Sequence, residues 1–134
     1  MKSPDTDIRT LLAAIATANS ITILDRVLES QSGTYVHIQD INSSDNFTKD
    51  GVIWETELLL DIVTQYDTVK GGRADADNIG NILLTALVDK YQSITDFKII
   101  KSTVIAMNYI DEKQDRGYIV RKLIRLNLQI ESLT

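Results

Sequence analysis

Residues 52–65 carry a strict alternation of side chains that constrains the fold more than any other part of the sequence. One set of positions places apolar residues and a threonine on a single face: Val52, Trp54, Thr56, Leu58, Leu60 and Ile62. The other set mixes aliphatic and acidic residues: Ile53, Glu55, Glu57, Leu59, Asp61 and Val63. A period of two is typical of a β-strand with one face on the core, so this segment predicts a long strand whose first face is buried.

The C-terminal part of the chain predicts a long β-hairpin. Residues 97–110 are rich in strand formers but leave open which face they bury, and the polar run 111–117 predicts the hairpin tip. Residues 118–131 alternate clearly and are predicted to bury Tyr118, Val120, Ile124, Leu126, Leu128 and Ile130. The opposite face carries Ile119, Arg121, Leu123, Arg125, Asn127 and Gln129.

The remaining segments predict two helices and two short strands. Ser3 is suited to cap a first helix with Pro4 at its first helical position, followed by an apolar stripe of Ile8, Leu11, Leu12 and Ile15 that ends at Asn19-Ser20. That stripe could bind a partner, but packing on the chain's own sheet is the simpler interpretation. Residues 21–28 and 35–41 predict strands, 42–51 a polar loop, and 74–91 a second helix with strict apolar spacing.

This order predicts an α+β fold with the sequence α-β-β-β-α-β-β. Hairpin connections imply an antiparallel sheet, and we expect both helices on one face of it. With 134 residues and 43% hydrophobic residues, we expect a single domain spanning 1–134 with a real core.

Composition excludes several functional classes. The chain has no cysteine, which excludes disulfides, thiolate nucleophiles and cysteine zinc sites. Its net charge of −5 argues against specific nucleic-acid binding, which needs clustered Lys and Arg. No membrane contact is expected, because the longest apolar run, Leu58-Leu59-Leu60, is far short of the roughly 18 residues that a span needs. No apolar signal-peptide core follows the N-terminus.

Candidate chemical groups all have simpler structural interpretations. His37 could join a catalytic triad, but it lies mid-strand without a nucleophile elbow. The run from Asp75 to Gly80 resembles a calcium loop but has Ile79 and Ala86 where ligands belong, so Asp75 and Asp77 are better explained by the helix dipole. The run Gly71-Gly72-Arg73 lacks a full phosphate-binding pattern. We therefore predict no catalytic residue, no cofactor and no metal site.

The mixed strand face is the strongest candidate for function. Glu55, Glu57 and Asp61 could form a carboxylate pair for catalysis, but Arg121 and Arg125 lie on the equivalent face of the last strand and predict cross-strand salt bridges. Large aliphatics lie between these charges, and no helix remains to cover them, which favours a subunit interface. The predicted interface residues are Ile53, Glu55, Glu57, Leu59, Asp61, Ile119, Arg121, Leu123 and Arg125, with Val63 beside them.

In length and element order the chain resembles the tail terminator (tail completion) proteins of tailed bacteriophages. The matching segments are 35–38, 54–62, the loop 71–73 leading into 76–83, and the closing strand 118–126. The resemblance covers nearly the whole chain and is one of pattern. The segment 21–34 lacks the proline-rich character of the family.

The resemblance implies a non-enzymatic virion protein that assembles with itself into a hexameric ring. Such a ring caps the tail tube, stops its polymerisation and joins tail to head, so the implied partners are the tail tube protein and a head–tail connector or stopper. Six touching domains of about 14 Å radius of gyration leave a hole of roughly 35 Å, through which DNA would pass without specific binding. The implied location is the virion tail or neck, with assembly in the host cytoplasm. The alternatives are another head–tail connector, such as a stopper or minor capsid joining protein, and a small non-enzymatic binding module.

Overall fold

The computed structural model describes residues 2–27, 33–48, 51–66, 73–89, 93–94, 96–114 and 117–133. It confirms the α+β class: two helices lie on one face of a single mostly antiparallel sheet. The sheet order is β1-β2-β3-β6-β5-β4, with β3 and β6 at its centre. The elements are α1 (Asp5–Ala18), β1 (Ile23–Leu24), β2 (Tyr35–Thr48), β3 (Gly51–Tyr66), α2 (Ala74–Leu84), a π-helical turn (Thr85–Asp89), β4 (Ser93–Ile94), β5 (Phe97–Gln114) and β6 (Gly117–Ser132).

The face of the sheet that carries the helices, called the front face here, holds the core. Helix α1 contacts β1, β2 and β4, and α2 contacts β3 and β6. The predicted inward faces of β3 and β6 are confirmed at most positions, which are buried: Trp54, Leu58, Leu60, Ile62, Val120, Ile124, Leu126, Leu128 and Ile130. Val52 and Tyr118, at the ends of these faces, are only half-buried and pack against the core. Both helices bury the predicted stripes beneath them, with Ile8 and Leu12 from α1 and Leu83 from α2 almost fully enclosed.

Gly80 allows α2 to lie close to β6. A Cβ atom built at this position would come within 3.3 Å of Ile124 Cδ1 and 3.4 Å of Lys122 Nζ. This close packing places the first turns of α2 over Lys122.

The helix ends differ slightly from prediction. Pro4, not Ser3, occupies the N-cap position of α1, and the Ser3 hydroxyl accepts a 3.3 Å hydrogen bond from the Asp5 amide. The predicted end at Asn19-Ser20 is confirmed, and Ser20 adopts a positive φ of 55°. The second helix was predicted to run over 74–91, but its α-helical part ends at Leu84 and continues as the π-helical turn. Residues 90–91 of that prediction lie outside the described residues.

The strand predicted over 21–28 is wrong in length. Only Ile23 and Leu24 form a strand, and they pair in parallel with Val36 and His37. The exposed Asp25-Arg26 pair follows directly, and Arg9 holds Asp25 in an ion pair at 3.1 Å, so the segment turns toward α1 instead of extending the sheet. Leu28 lies outside the described residues.

Both predicted polar loops are largely strand. Residues Asn42–Thr48 continue β2, with Asn42 opposite Glu57 and Ser43 opposite Thr56, and β3 already begins at Gly51. Likewise Asp111–Gln114 extend β5, and β6 begins at Gly117. Pairing along the neighbouring strand outweighs local turn preference, because β-propensity is strongly context-dependent. The tips 49–50 and 115–116 lie outside the described residues.

Register shifts interrupt the alternation of two strands, β2 and β5. In β2 the shift falls between Ile38 and Asp40, and in β5 two shifts fall at Ile100 and Ile105. A β-bulge inserts one unpaired residue and moves the following side chains to the opposite face. The alternation of β5 is therefore reset twice, which is why its buried face could not be read from sequence.

Candidate assembly surface

The sheet face opposite the helices, called the back face here, collects all the predicted interface residues. Strands β3 and β6 pair antiparallel along their whole length, with Leu59 opposite Arg125 and Asp61 opposite Leu123. Because paired residues in an antiparallel ladder share a face, the two mixed strand faces predicted from sequence form one continuous surface. Most of these residues are half-buried, and Arg125 is exposed.

A three-strand ion network crosses one end of the back face. Arg121 on β6 binds Asp61 on β3, with Nη2 at 2.7 Å and Nε at 3.1 Å from Oδ2. The same guanidinium reaches Glu112 on β5, where Nη1 lies 3.3 Å from Oε1. The hydrogen bond to Asp61 is the main reason that the pKa of Arg121 is raised, and the contact with Glu112 adds to it. The contact with Asp61 confirms a predicted cross-strand salt bridge, whereas the contact with Glu112 was not predicted.

The other end of the back face is polar and weakly paired. Gln129 Nε2 donates to Glu55 Oε1 at 3.0 Å, and Arg125 Nη1 lies 4.0 Å from Glu57 Oε1. Both members of the second pair are almost half exposed, so that ion pair contributes little to stability. The exposed pair of Arg125 and Glu57 is therefore the part of this end most accessible to another molecule.

Two of the residues assigned to this surface are already enclosed within the subunit. Asp61 and Val63 are each only 4% exposed, although both lie on the back face. Tyr35, opposite Val63, is buried as well, and burial raises the pKa of its hydroxyl. The accessible part of the surface therefore consists of the half-buried aliphatics Ile53, Leu59, Ile119 and Leu123 together with Glu55, Glu57, Arg121 and Arg125.

Strand β5 also carries exposed apolar side chains that were not predicted from sequence, and they flank its outer edge on both faces of the sheet. Val104 and Met107 lie on the front face, Ile110 lies on the back face, and Ile105 is the residue at the second bulge. These four side chains are more than a third exposed: Val104 at 36%, Ile105 at 48%, Met107 at 47% and Ile110 at 39%. The sequence of 97–110 is rich in apolar residues, which could have indicated this exposure. Because the two bulges break the alternation of the strand, the sequence did not show which of these residues are exposed. These four residues are called the β5 apolar strip here.

The groups that suggested other chemistry are engaged in structural contacts. Asp77 accepts hydrogen bonds from Lys122 at 2.8 Å and from the Tyr109 hydroxyl, which together lower its pKa. Asp75 accepts a 2.9 Å hydrogen bond from Tyr66. Arg73, from the glycine-containing loop, pairs with Asp111 at 3.0 Å and lies over the Tyr109 ring; Gly71 and Gly72 lie outside the described residues. The calcium-loop and anion-site interpretations therefore gain no support.

His37 lies on β2 directly opposite Asp61. The carboxylate that a His–Asp pair would use is instead bound by Arg121. Within the described ranges no group of three or more His, Asp or Glu side chains is placed to hold a metal ion. Nor does any helix there have the length and apolar character to cross a membrane.

The comparisons with known proteins agree with this architecture. The family model described as "Tail completion protein gp17" matches residues 3–127. A chain from the virion of a native gene transfer agent particle has a similar structure, with a TM-score of 0.66 at 17% identity over 95% of this chain and 93% of that one. At that identity the likeness concerns the fold. No curated protein matches the sequence.

The family match spans nearly all of the chain, including both helices and the two central strands that form the back face. The structural match shows the same fold of two helices on one sheet. The chain therefore belongs to the tail completion protein gp17 family and is a structural protein of tail assembly.

Proposed function

We propose that the chain assembles with itself into a ring, a hexamer, that caps the tail tube, stops its polymerisation and joins the tail to the head. The whole chain, 1–134, would act as one assembly unit in the neck of the virion. Its partners would be the tail tube protein on one side and a head–tail connector or stopper on the other. Assembly would take place in the host cytoplasm.

The observation that carries this proposal is the composition of the back face. Both helices lie on the front face, so no described helix covers the back face, although Asp61, Val63 and Tyr35 at one end of it are buried. Aliphatic side chains at Ile53, Leu59 and Leu123 lie among charged ones there. Burial of the aliphatics between subunits would supply free energy, and the charges would set the register and reject wrong partners.

The charge of the chain suits a ring around DNA. With a net charge of −5, the protein lacks the basic excess that binds phosphates non-specifically. DNA would therefore pass without being captured. Electrophoretic mobility of a DNA duplex mixed with assembled protein tests this, and a salt-sensitive shift would contradict it.

The interface is tested by Leu123→Glu. Leu123 is half-buried and lies opposite Asp61, so a glutamate there adds negative charge beside a buried carboxylate without entering the core. We expect the variant to stay folded and to lose assembly, as measured by circular dichroism and light scattering on the same sample.

Leu133→Glu is the matched control, because it makes the same chemical change at a position that is 57% exposed and lies after the end of β6. It should assemble like the wild type. Normal assembly of Leu123→Glu would place the interface elsewhere. Unfolding would mean that Leu123 contributes to the core, and Arg125→Glu, at an exposed position on the same face, would then be the decisive variant.

Tube termination needs its own experiment. The purified tail tube protein should form shorter tubes, each capped at one end, when wild-type chain is added during polymerisation, and electron microscopy measures their lengths. Leu123→Glu should leave the tube lengths unchanged. If the wild type does not shorten the tubes, the terminator role is wrong even if a ring forms.

A further inference from the structure

Each border of the sheet leaves most of a long strand open. At one border β1 pairs only with Val36 and His37 of β2. At the other, β4 pairs only with Phe97 and Lys98 of β5. No other described strand pairs with the outer side of β2 beyond Ile38 or of β5 beyond Ile99. An open edge presents backbone N–H and C=O groups that can pair with another chain.

The two open stretches have few of the features that normally prevent such pairing. Residues 40–48 of β2 contain two charged residues, Asp40 and Asp45, but neither proline nor lysine, and the pairing of this stretch with β3 shows no register shift. In β5 the bulges lie at Ile100 and Ile105. The residues after the second bulge, 106–110, carry no charge and pair regularly with β6. Charged residues, proline and bulges are the usual protection of sheet edges.

The exposed apolar residues concentrate at the same place. The β5 apolar strip, Val104, Ile105, Met107 and Ile110, holds four of the five large hydrophobic side chains that are more than a third exposed in the described part of the chain. Clustered exposure of this kind marks an interaction surface, whereas scattered exposure is ordinary. The strip is therefore best explained by an occupant of the β5 edge.

A second copy of this chain fits that edge. Across β2, β3, β6 and β5 each neighbouring pair is antiparallel, so β5 runs opposite to β2. If a neighbouring subunit has the same orientation of its sheet, its β2 lies antiparallel to β5 of the first. Antiparallel pairing gives the better hydrogen-bond geometry. The open part of β2 is acidic, with exposed Asp40 and Asp45, whereas the open part of β5 begins with exposed Lys101 and has no net charge over 100–114, so the two edges do not repel each other strongly.

We propose that the outer edge of β5 in one subunit pairs antiparallel with the outer edge of β2 in the next, so that the sheets of neighbouring subunits become continuous. The contact is heterologous, since each subunit offers a different edge on each side, and such contacts close into rings when the rotation between subunits allows it. The inference rests on the proposed ring and identifies a contact separate from the back face. Leu123→Glu and the edge experiment therefore test different surfaces.

Disulfide trapping tests the pairing directly, because the natural sequence contains no cysteine. Asn42→Cys, at an exposed back-face position of β2, is combined in turn with a cysteine at a back-face position of β5. The β5 positions are Thr103, Ala106, Asn108, Ile110 and Glu112. Within one subunit β2 and β5 are separated by β3 and β6, so their Cα atoms lie about 14 Å apart, twice the limit of about 7 Å for a disulfide.

The control pairs Asn42→Cys with Asn127→Cys, which lies on the same face but on the interior strand β6. We expect oxidation of the assembled protein to give a ladder of linked multimers for one β5 position or two adjacent ones, which also gives the register, and no ladder for the control. If the protein assembles but no pair links more than the control, edge pairing is wrong and the ring proposal stands. If the wild type remains monomeric at every soluble concentration, both proposals fail.

Discussion

At the scale of single residues, Lys122 is a buried charged side chain that is stabilised by an ion pair. Its side chain is buried beneath α2, and its ammonium group donates to Asp77 at 2.8 Å. Desolvation is the largest influence on this group and lowers its pKa, but the hydrogen bonds to Asp77 and Tyr109 outweigh it and leave the pKa raised. A buried charge persists only when it is paired in this way.

The ion pair between Asp77 and Lys122 should make stability depend on pH. The pKa of Asp77 is lowered below its ordinary value of 3.8, first by the hydrogen bond from Lys122 and then by that from Tyr109. A carboxylate with a lowered folded-state pKa contributes stability that is fully present above 3.8 and is lost as the pH falls through the folded value. We expect Asp77→Asn to have a lower urea midpoint than the wild type at neutral pH, and this difference to shrink below pH 3.8.

The control for loss of a carboxylate is Asp40→Asn, at an exposed position of β2. It should leave the urea midpoint nearly unchanged at neutral pH. A gap between wild type and Asp77→Asn that stays constant down to the acid limit would show that the pair with Lys122 does not stabilise the fold.

Leu83 gives the simplest test of the core. It is 1% exposed in the apolar stripe of α2, so truncation leaves a cavity between helix and sheet. We expect Leu83→Ala to lower the free energy of unfolding by about 2–5 kcal/mol. Leu84→Ala, at the half-buried neighbouring position, should cost less. Equal effects in denaturant titrations would contradict the assigned orientation of the helix.

At the scale of secondary-structure elements, the π-helical turn Thr85–Asp89 connects α2 to the far border of the sheet. The carbonyl groups of the last turn of a helix need partners from elsewhere. Here the Ser102 hydroxyl, from the stretch of β5 between its two bulges, donates a 2.6 Å hydrogen bond to the Leu87 carbonyl. The bulge at Ile100 therefore has a structural use, because it helps turn Ser102 toward the front face.

Removing this hydroxyl should destabilise the end of α2. We expect Ser102→Ala to lower the free energy of unfolding by on the order of 1 kcal/mol and to speed hydrogen exchange in the π-helical turn. Thr103→Ala, at the exposed next residue on the back face, should change neither quantity. If the two variants behave alike in denaturant titration and hydrogen exchange, Ser102 does not anchor the turn.

At the scale of the whole molecule, the two candidate contact surfaces have different physical character. The back face combines half-buried aliphatics with ion pairs, whereas the open edges of β2 and β5 offer backbone hydrogen bonds flanked by the β5 apolar strip. Side-chain surfaces give specificity through shape and charge, and open edges give directional pairing. The two surfaces are tested separately, the back face by Leu123→Glu and the edges by disulfide trapping.

Closure of a ring should appear in the concentration dependence of mass. A closed ring stops growing when its last contact forms, whereas a heterologous contact that fails to close continues into a filament. We expect sedimentation velocity over a concentration series to show one assembled species of constant mass beside the monomer. A mass that keeps rising with concentration would contradict a closed ring and would favour an open polymer.

The sequence by itself determined the fold class, the central strands and the composition of the back face. Alternation in 52–65 and 118–131 is a local property of strands with one buried face, so it identified the core positions and the mixed surface without structural information. The apolar stripes of both helices were equally readable, since helical spacing is also local.

Only the tertiary structure decided the lengths of the outer strands, the facing of β5 and the openness of the sheet edges. Residues 42–48 and 111–114 have the composition of loops, and they become strand because β3 and β6 offer them a continuous ladder of partners. The bulges in β5 depend on how that strand fits its neighbour, and no residue type marks them in advance. An edge is open where no neighbouring strand pairs with it. This depends on the whole sheet and not on any single segment.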